Sequence, residues 1–144
     1  MGLDVTKMDG SRITTLIVDD EPVARRLLRE ELENFEEIEV VGEAANGREA
    51  LQQIAKLKPE LVFLDLQMPV VNGWQVLDWI HSFGRKGKMR IFIYSQPRNI
   101  TEVSDLYKLK ADSFIRKPAT QEEIQDLIRN FPEPWELEKA TMVQ

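Results

Sequence analysis

The sequence predicts a doubly wound α/β fold, a five-stranded parallel sheet in the order 2-1-3-4-5 with helices on both faces. Two observations carry this. Short β-type runs alternate with amphipathic segments along the chain, and such alternation implies a parallel sheet covered on both sides with right-handed crossovers. The runs that begin at Ile13, Leu61 and Ile91 are wholly or mostly apolar, whereas those that begin at Ile38 and Asp112 are mixed. Strands hidden on both faces read as continuous apolar runs. Placing the mixed strands at the edges yields the order 2-1-3-4-5, which is that of flavodoxin-like folds.

Each element has its own local reason. Residues 1–11 are polar and read as a disordered leader. Ile13 to Val18 is the first strand and runs into Asp19-Asp20-Glu21-Pro22. Proline suits the first turn of a helix, and acids suit its N-terminus. The first helix is expected to reach about Phe35, with Val23, Leu27, Leu28 and Phe35 inward and Arg25, Arg26, Arg29, Glu30 and Glu33 outward. Ile38 to Ala44 is the second strand. Asn46 is placed to cap a second helix that ends near Leu57, stopped by Lys58-Pro59. Leu61-Val62-Phe63-Leu64 is a buried strand that ends on Asp65, and a turn follows to Gly73. Trp74 to Phe83 is the third helix, with Trp74, Trp79 and Phe83 as core and rim. Ile91 to Tyr94 is a strand that ends on Ser95. A fourth helix is expected over Ile100 to Leu109, and a short strand over Asp112 to Arg116 ends at Lys117-Pro118. The last helix, Gln121 to Phe131, has Ile124, Leu127, Ile128 and Phe131 on one face. One folded domain over 12–131 is expected, with 132–144 as a short tail.

Composition narrows the function classes. The 144 residues suit one domain, and 42% hydrophobic content suffices for a core. The formal charge is −6, which disfavours direct contact with nucleic acid. The basic cluster Arg85-Lys86-Gly87-Lys88 with Arg90 is short and reads as a solvated loop. No run approaches the roughly 18 apolar residues of a membrane span. The chain has no cysteine, so disulfides, thiolate nucleophiles and cysteine zinc sites are excluded, and a cytoplasmic protein is expected. The single histidine, His81, reads as structural.

Under this topology four strand ends meet at one sheet edge, where ligands of open α/β sheets bind. They bring Asp19 and Asp20, Asp65, Ser95 and Lys117. Each has a plain reading alone: a helix cap, a loop acid, a strand-end hydroxyl, a surface lysine. Together they suggest a site. Carboxylates crowded together raise one another's pKa unless a cation is present, and a hard divalent ion such as Mg²⁺ suits oxygen ligands. Such an ion would neutralise an arriving phosphoryl group, Lys117 would add a point charge, and Asp65 would be a plausible nucleophile.

These residues carry a resemblance. Val18-Asp19-Asp20-Glu21, Leu64-Asp65-Leu66-Gln67-Met68-Pro69 with Gly73, Tyr94-Ser95 and Lys117-Pro118 resemble the motifs of response-regulator receiver domains of two-component signalling. The resemblance spans about Ile13 to Phe131. It implies that Asp65 accepts a phosphoryl group from a histidine kinase or histidine phosphotransfer protein. It implies Mg²⁺ held by Asp20, Asp65 and the backbone carbonyl of Gln67, with Asp19 acting through water. Lys117 would contact the phosphoryl group across a cis Lys117–Pro118 bond. Ser95 and Phe114 would be the switch pair, and the face from the fourth helix to the last helix, with Tyr107, Phe114 and Ile128, would carry a downstream protein or a homodimer contact.

Three departures stand out. Phe114 lacks the hydroxyl of the tyrosine often found there. Gln96 stands where a small residue is usual, and Pro97 restricts the following loop. Gln67 and Gln96 are expected to alter the lifetime of the phosphorylated form; hydrolysis unchanged in Gln67→Ala and Gln96→Ala would refute this. The expected function is a stand-alone phosphorylatable switch. The alternatives are a receiver-like constitutive interaction module, for which Gln96 and Pro97 speak, and a receiver cut from a larger regulator. A flavin carrier is disfavoured because the acids after the first strand would repel its phosphate. An aspartyl phosphatase would need an acid where Gln67 stands, and the three-glycine dinucleotide fingerprint is absent.

Overall fold

The computed structural model describes residues 12–66, 68, 73–82, 89–95 and 111–131. Within them lie β1 (Ile13–Val18), α1 (Pro22–Leu32), β2 (Ile38–Ala44), α2 (Gly47–Leu57), β3 (Leu61–Leu64), α3 (Gly73–Ser82), β4 (Arg90–Ser95), β5 (Ser113–Arg116) and α4 (Gln121–Arg129). The helix expected over Ile100 to Leu109 lies outside the described residues. The five strands form one parallel sheet in the order β2-β1-β3-β4-β5. The two mixed strands are the edges, as their sequences require, and all four residues of central β3 are fully buried.

Paired residues in a parallel sheet point to the same face, so the register sorts the core into two layers. Leu16, Val18, Val62, Leu64, Ile91 and Ile93 pack with Ala50 of α2 and Val76, Leu77 and Ile80 of α3. Ile13, Ile17, Leu61, Phe63, Phe92 and Tyr94 pack with Leu28 and Leu32 of α1 and Ile124, Leu127 and Ile128 of α4. At about 2 kcal/mol or more for each large apolar side chain, these layers dominate the folding energy.

The helix ends follow local chemistry. The Asn46 side chain accepts from the Glu49 amide at 2.8 Å, as expected, and Glu49 Oε1 accepts from the Ala45 amide at 2.8 Å. α2 stops at Lys58, which adopts φ 47° just before Pro59. Thr120 and Glu123 form a reciprocal capping box at the start of α4.

Helix α1 corrects the sequence reading. Val23 and Leu27 are exposed, at 54% and 47%, while Leu28 and Leu32 are buried. Residues four apart share a face, so a stripe through Ala24, Leu28 and Leu32 faces the sheet and leaves Val23 and Leu27 roughly 100° away. Arg25 lies beside that stripe and is largely covered, its side chain only 18% exposed. α1 also ends at Leu32 rather than Phe35, where the Phe35 amide donates to the Leu32 carbonyl in a turn. α4 likewise ends at Arg129 rather than Phe131. Trp79 is 45% exposed, a rim residue.

β2 holds one irregularity. Thr15 pairs with Val40 but Leu16 pairs with Gly42, so β2 carries one residue more than β1 over this stretch. Such a bulge reverses the facing of everything beyond it. Val40 packs toward α1, yet Ala44, four residues on, packs toward α2 and α3. Glu43, paired with Ile17, is thereby turned toward α1.

Candidate phosphoryl-acceptor site

Four strand ends build the site. Backbone pairing continues one residue past three of the strands and fixes the positions of the side chains that follow. The Asp19 amide donates to Ala44 at 3.0 Å, the Asp65 amide to Val18 at 3.0 Å and the Lys117 amide to Ser95 at 3.0 Å. Asp19, Asp65 and Ser95 are buried, and Asp20 is exposed. Carboxylate oxygens of Asp19, Asp20 and Asp65 all lie within 4.8 Å of one another. The Lys117 ammonium sits 2.6 Å from Asp19 Oδ2 and 3.4 Å from Asp65 Oδ2. The Lys117–Pro118 bond is cis, as the resemblance implied.

Burial alone would pull the Lys117 ammonium below the ordinary lysine value, but the carboxylates of Asp19 and Asp65 outweigh it and hold the group above that value. Lys117 is therefore charged at neutral pH. The Tyr94 ring centroid lies 5.4 Å from Nζ, a cation–π contact. Burial of Tyr94 raises its phenol above the ordinary value.

Three carboxylates around one ammonium leave a net negative, oxygen-lined pocket, open to solvent on the Asp20 side. That donor set fits a hard divalent cation that keeps part of its water shell. Asp65 offers a carboxylate at the head of β3, with Lys117 beside it to meet an incoming anion. Ser95 ends β4 at the same edge. Phe114 is half-buried on β5, pairs with Ile93 and packs against the α2 and α3 layer. Gln67, Gln96, Pro97 and Tyr107 lie outside the described residues.

The sequence reading missed a brace behind the acids. Arg25 Nε donates to Glu43 Oε1 at 3.0 Å and Arg29 Nε to Glu43 Oε2 at 2.7 Å. Arg25 Nη1 also donates to the backbone carbonyl of Asp19 at 2.6 Å. The sequence pattern points both arginines outward, and the structure turns them to Glu43. The available signal was Gly42, since a glycine inside a strand often marks a bulge.

Comparison with known proteins agrees with this geometry. The family model described as response regulator receiver domain matches residues 15–129. The protein-glutamate methylesterase/protein-glutamine glutaminase of Methanococcoides burtonii is 35% identical over 117 residues, covering 80% of this chain and 32% of that protein. The nitrate/nitrite response regulator protein NarL of Escherichia coli is 32% identical over 111 residues, covering 77% of this chain and 50% of that protein. The chain thus spans half or less of the length of these two relatives. Among solved structures, the response regulator domain of Thermotoga maritima CheB superposes with a TM-score of 0.70 at 27% identity, covering 83% of this chain and 96% of that one. No described helix is long and apolar enough to cross a membrane. By sequence, topology and the acids at its strand ends, the chain belongs to the response regulator receiver domain family.

Proposed function

We propose that Asp65 accepts a phosphoryl group from a histidine kinase or histidine phosphotransfer protein, and that the acyl phosphate switches the chain's protein contacts. The observation that carries the reading is the largely covered Lys117 ammonium, seated between Asp19 and Asp65 at 2.6 Å and 3.4 Å. An Asp65 oxygen attacks phosphorus, the phosphorus–nitrogen bond of the donor phosphohistidine breaks, and the imidazole leaves with its electron pair. Water later cleaves the acyl phosphate and regenerates the carboxylate. Asp20, Asp65 and the backbone carbonyl of Gln67 would hold Mg²⁺, with Asp19 acting through water. When bound, the ion supplies charge neutralisation at the phosphoryl oxygens. Lys117 meets the phosphoryl group as a fixed cation. Ser95 and Phe114 form the switch pair, which shifts the equilibrium only as far as the phosphoryl group interacts differently with the two states. The switch acts on a downstream protein or a second copy through the face formed at the β5 edge of the sheet and by α4, with Ile128 in the core beneath it.

The test is incubation with acetyl phosphate and Mg²⁺, read by intact mass. A single phosphoryl adduct that is absent in Asp65→Ala is expected. An adduct that persists in Asp65→Ala would overturn the assignment of the acceptor. No adduct with acetyl phosphate or with any phosphohistidine donor would favour a constitutive interaction module.

A further inference from the structure

Besides the Lys117 contact, the Asp19–Asp20 turn is held at three points, and one of them belongs to no motif. The Glu21 amide donates to Asp19 Oδ1 at 2.9 Å, and the Asp19 amide is tied to Ala44 of β2. The third point is the Asp19 carbonyl, which accepts from Arg25 Nη1 at 2.6 Å. That carbonyl belongs to the peptide unit joining Asp19 to Asp20. Its tilt sets where the Asp20 carboxylate points, and Asp20 is the exposed member of the acidic group.

Arg25 is itself braced. Its Nε is held by Glu43 at 3.0 Å, and the other oxygen of Glu43 is held by Arg29 at 2.7 Å. The Arg25 side chain is 18% exposed and that of Glu43 30%. Burial works against the Glu43 charge, but Arg29 and Arg25 together hold the carboxyl below its ordinary value. Guanidinium is suited to this task because its planar fork contacts two acceptors at fixed angles. Arg29 shares the brace, but its side chain reaches Glu43 and Glu33.

We infer that Arg25 is a positioning residue for the cation site: its fork, held by Glu43 on β2, fixes the Asp19 carbonyl and so aims Asp19 and Asp20 at one metal ion. The inference rests on the proposed Mg²⁺ site and extends it to a residue behind the acids. A simple charge effect has the opposite sign. Removing a cation near an acidic pocket strengthens Mg²⁺ binding by electrostatics, whereas removing a positioning contact weakens it.

The test is Mg²⁺ titration by calorimetry on the full chain, with no phosphodonor present. Arg25→Gln should bind Mg²⁺ about 10- to 100-fold more weakly than the wild type, the cost usual for an outer partner of a metal ligand. Arg29→Gln, which loosens the helix brace without touching Asp19, should stay close to the wild type. Arg25→Lys keeps the charge but not the fork, and it too should bind weakly; it also serves if Arg25→Gln does not fold. Unchanged or tighter binding in Arg25→Gln would overturn the inference. So would equal weakening in Arg29→Gln, which assigns the effect to helix packing, or full affinity in Arg25→Lys, which shows that the fork is not what aims the acids. If the wild type takes up no Mg²⁺, the cation site itself is wrong, and the inference falls with it.

Discussion

Replacing Lys117 with methionine keeps most of the side-chain stem and removes the charge between two buried acids. At an effective dielectric constant of about 20, contacts of 2.6 Å and 3.4 Å correspond to gross attractions of about 6 and about 5 kcal/mol. Desolvation cancels much of this, because the lysine side chain is only 10% exposed and that of Asp19 not at all. Removing one partner of a buried pair leaves the other charge uncompensated, at a typical cost of about 3–5 kcal/mol. Lys117→Met should therefore lose about 3 kcal/mol or more of a total near 5–15 kcal/mol. Urea unfolding at pH 7 without divalent ions measures it. The folded-state value of Lys117 is raised, so its contribution is complete below the ordinary value of 10.5 and is lost as pH rises through the higher folded-state value. The gap between the two proteins should then hold from neutral pH upward and narrow in alkali. A loss under about 1 kcal/mol, the size of an exposed pair, would refute the picture of an ammonium held tightly against two buried acids.

Three further outcomes are expected. Thr120→Ala removes the hydroxyl of the α4 capping box and should cost about 1 kcal/mol in chemical denaturation; no change would show that the cap is dispensable. Lys58→Gly relieves a left-handed backbone at φ 47° and should raise stability by about 1 kcal/mol, readable as a higher unfolding midpoint. The folded-state value of Glu43 is lowered, so its contribution is present above the ordinary value of 4.5 and is lost as pH falls through the lower folded-state value. Glu43→Gln should flatten the acid limb of a stability–pH curve, and an unchanged limb would count against the Arg25–Glu43–Arg29 brace.

Much of the fold was legible because buried parallel strands leave a plain mark. Leu61 to Leu64 has no polar residue, and it is the central strand. Asn46 and Lys58-Pro59 marked the ends of α2 through local hydrogen bonding and backbone restriction alone. The acidic group was legible because topology, once known, brings strand ends together. The inward face of α1 was not, since Val23 and Leu27 are as apolar as Leu28 and Leu32. Which of these faces the sheet depends on the angle at which the helix leaves Asp20, and Pro22 fixes a backbone angle, not a direction in space. The brace was hidden for a related reason. In an unbroken strand Glu43 would face α2, and only the extra residue in β2 turns it toward the arginines.

Tyr94 gives the pocket a built-in observer. Its ring centroid lies 5.4 Å from the Lys117 ammonium and its ring meets Phe63 edge-on at 6.2 Å, with Phe92 next to Phe63 at 5.9 Å. The chain has two tyrosines, so the Tyr94 resonance is readily assigned by one substitution at Tyr107. A change in charge at Lys117 or Asp65 alters the field at a ring that the core holds still. Aromatic chemical shifts of Tyr94 can therefore follow occupancy of the acidic edge in real time, on the unlabelled side of any donor or partner, with no dye attached to the surface being studied.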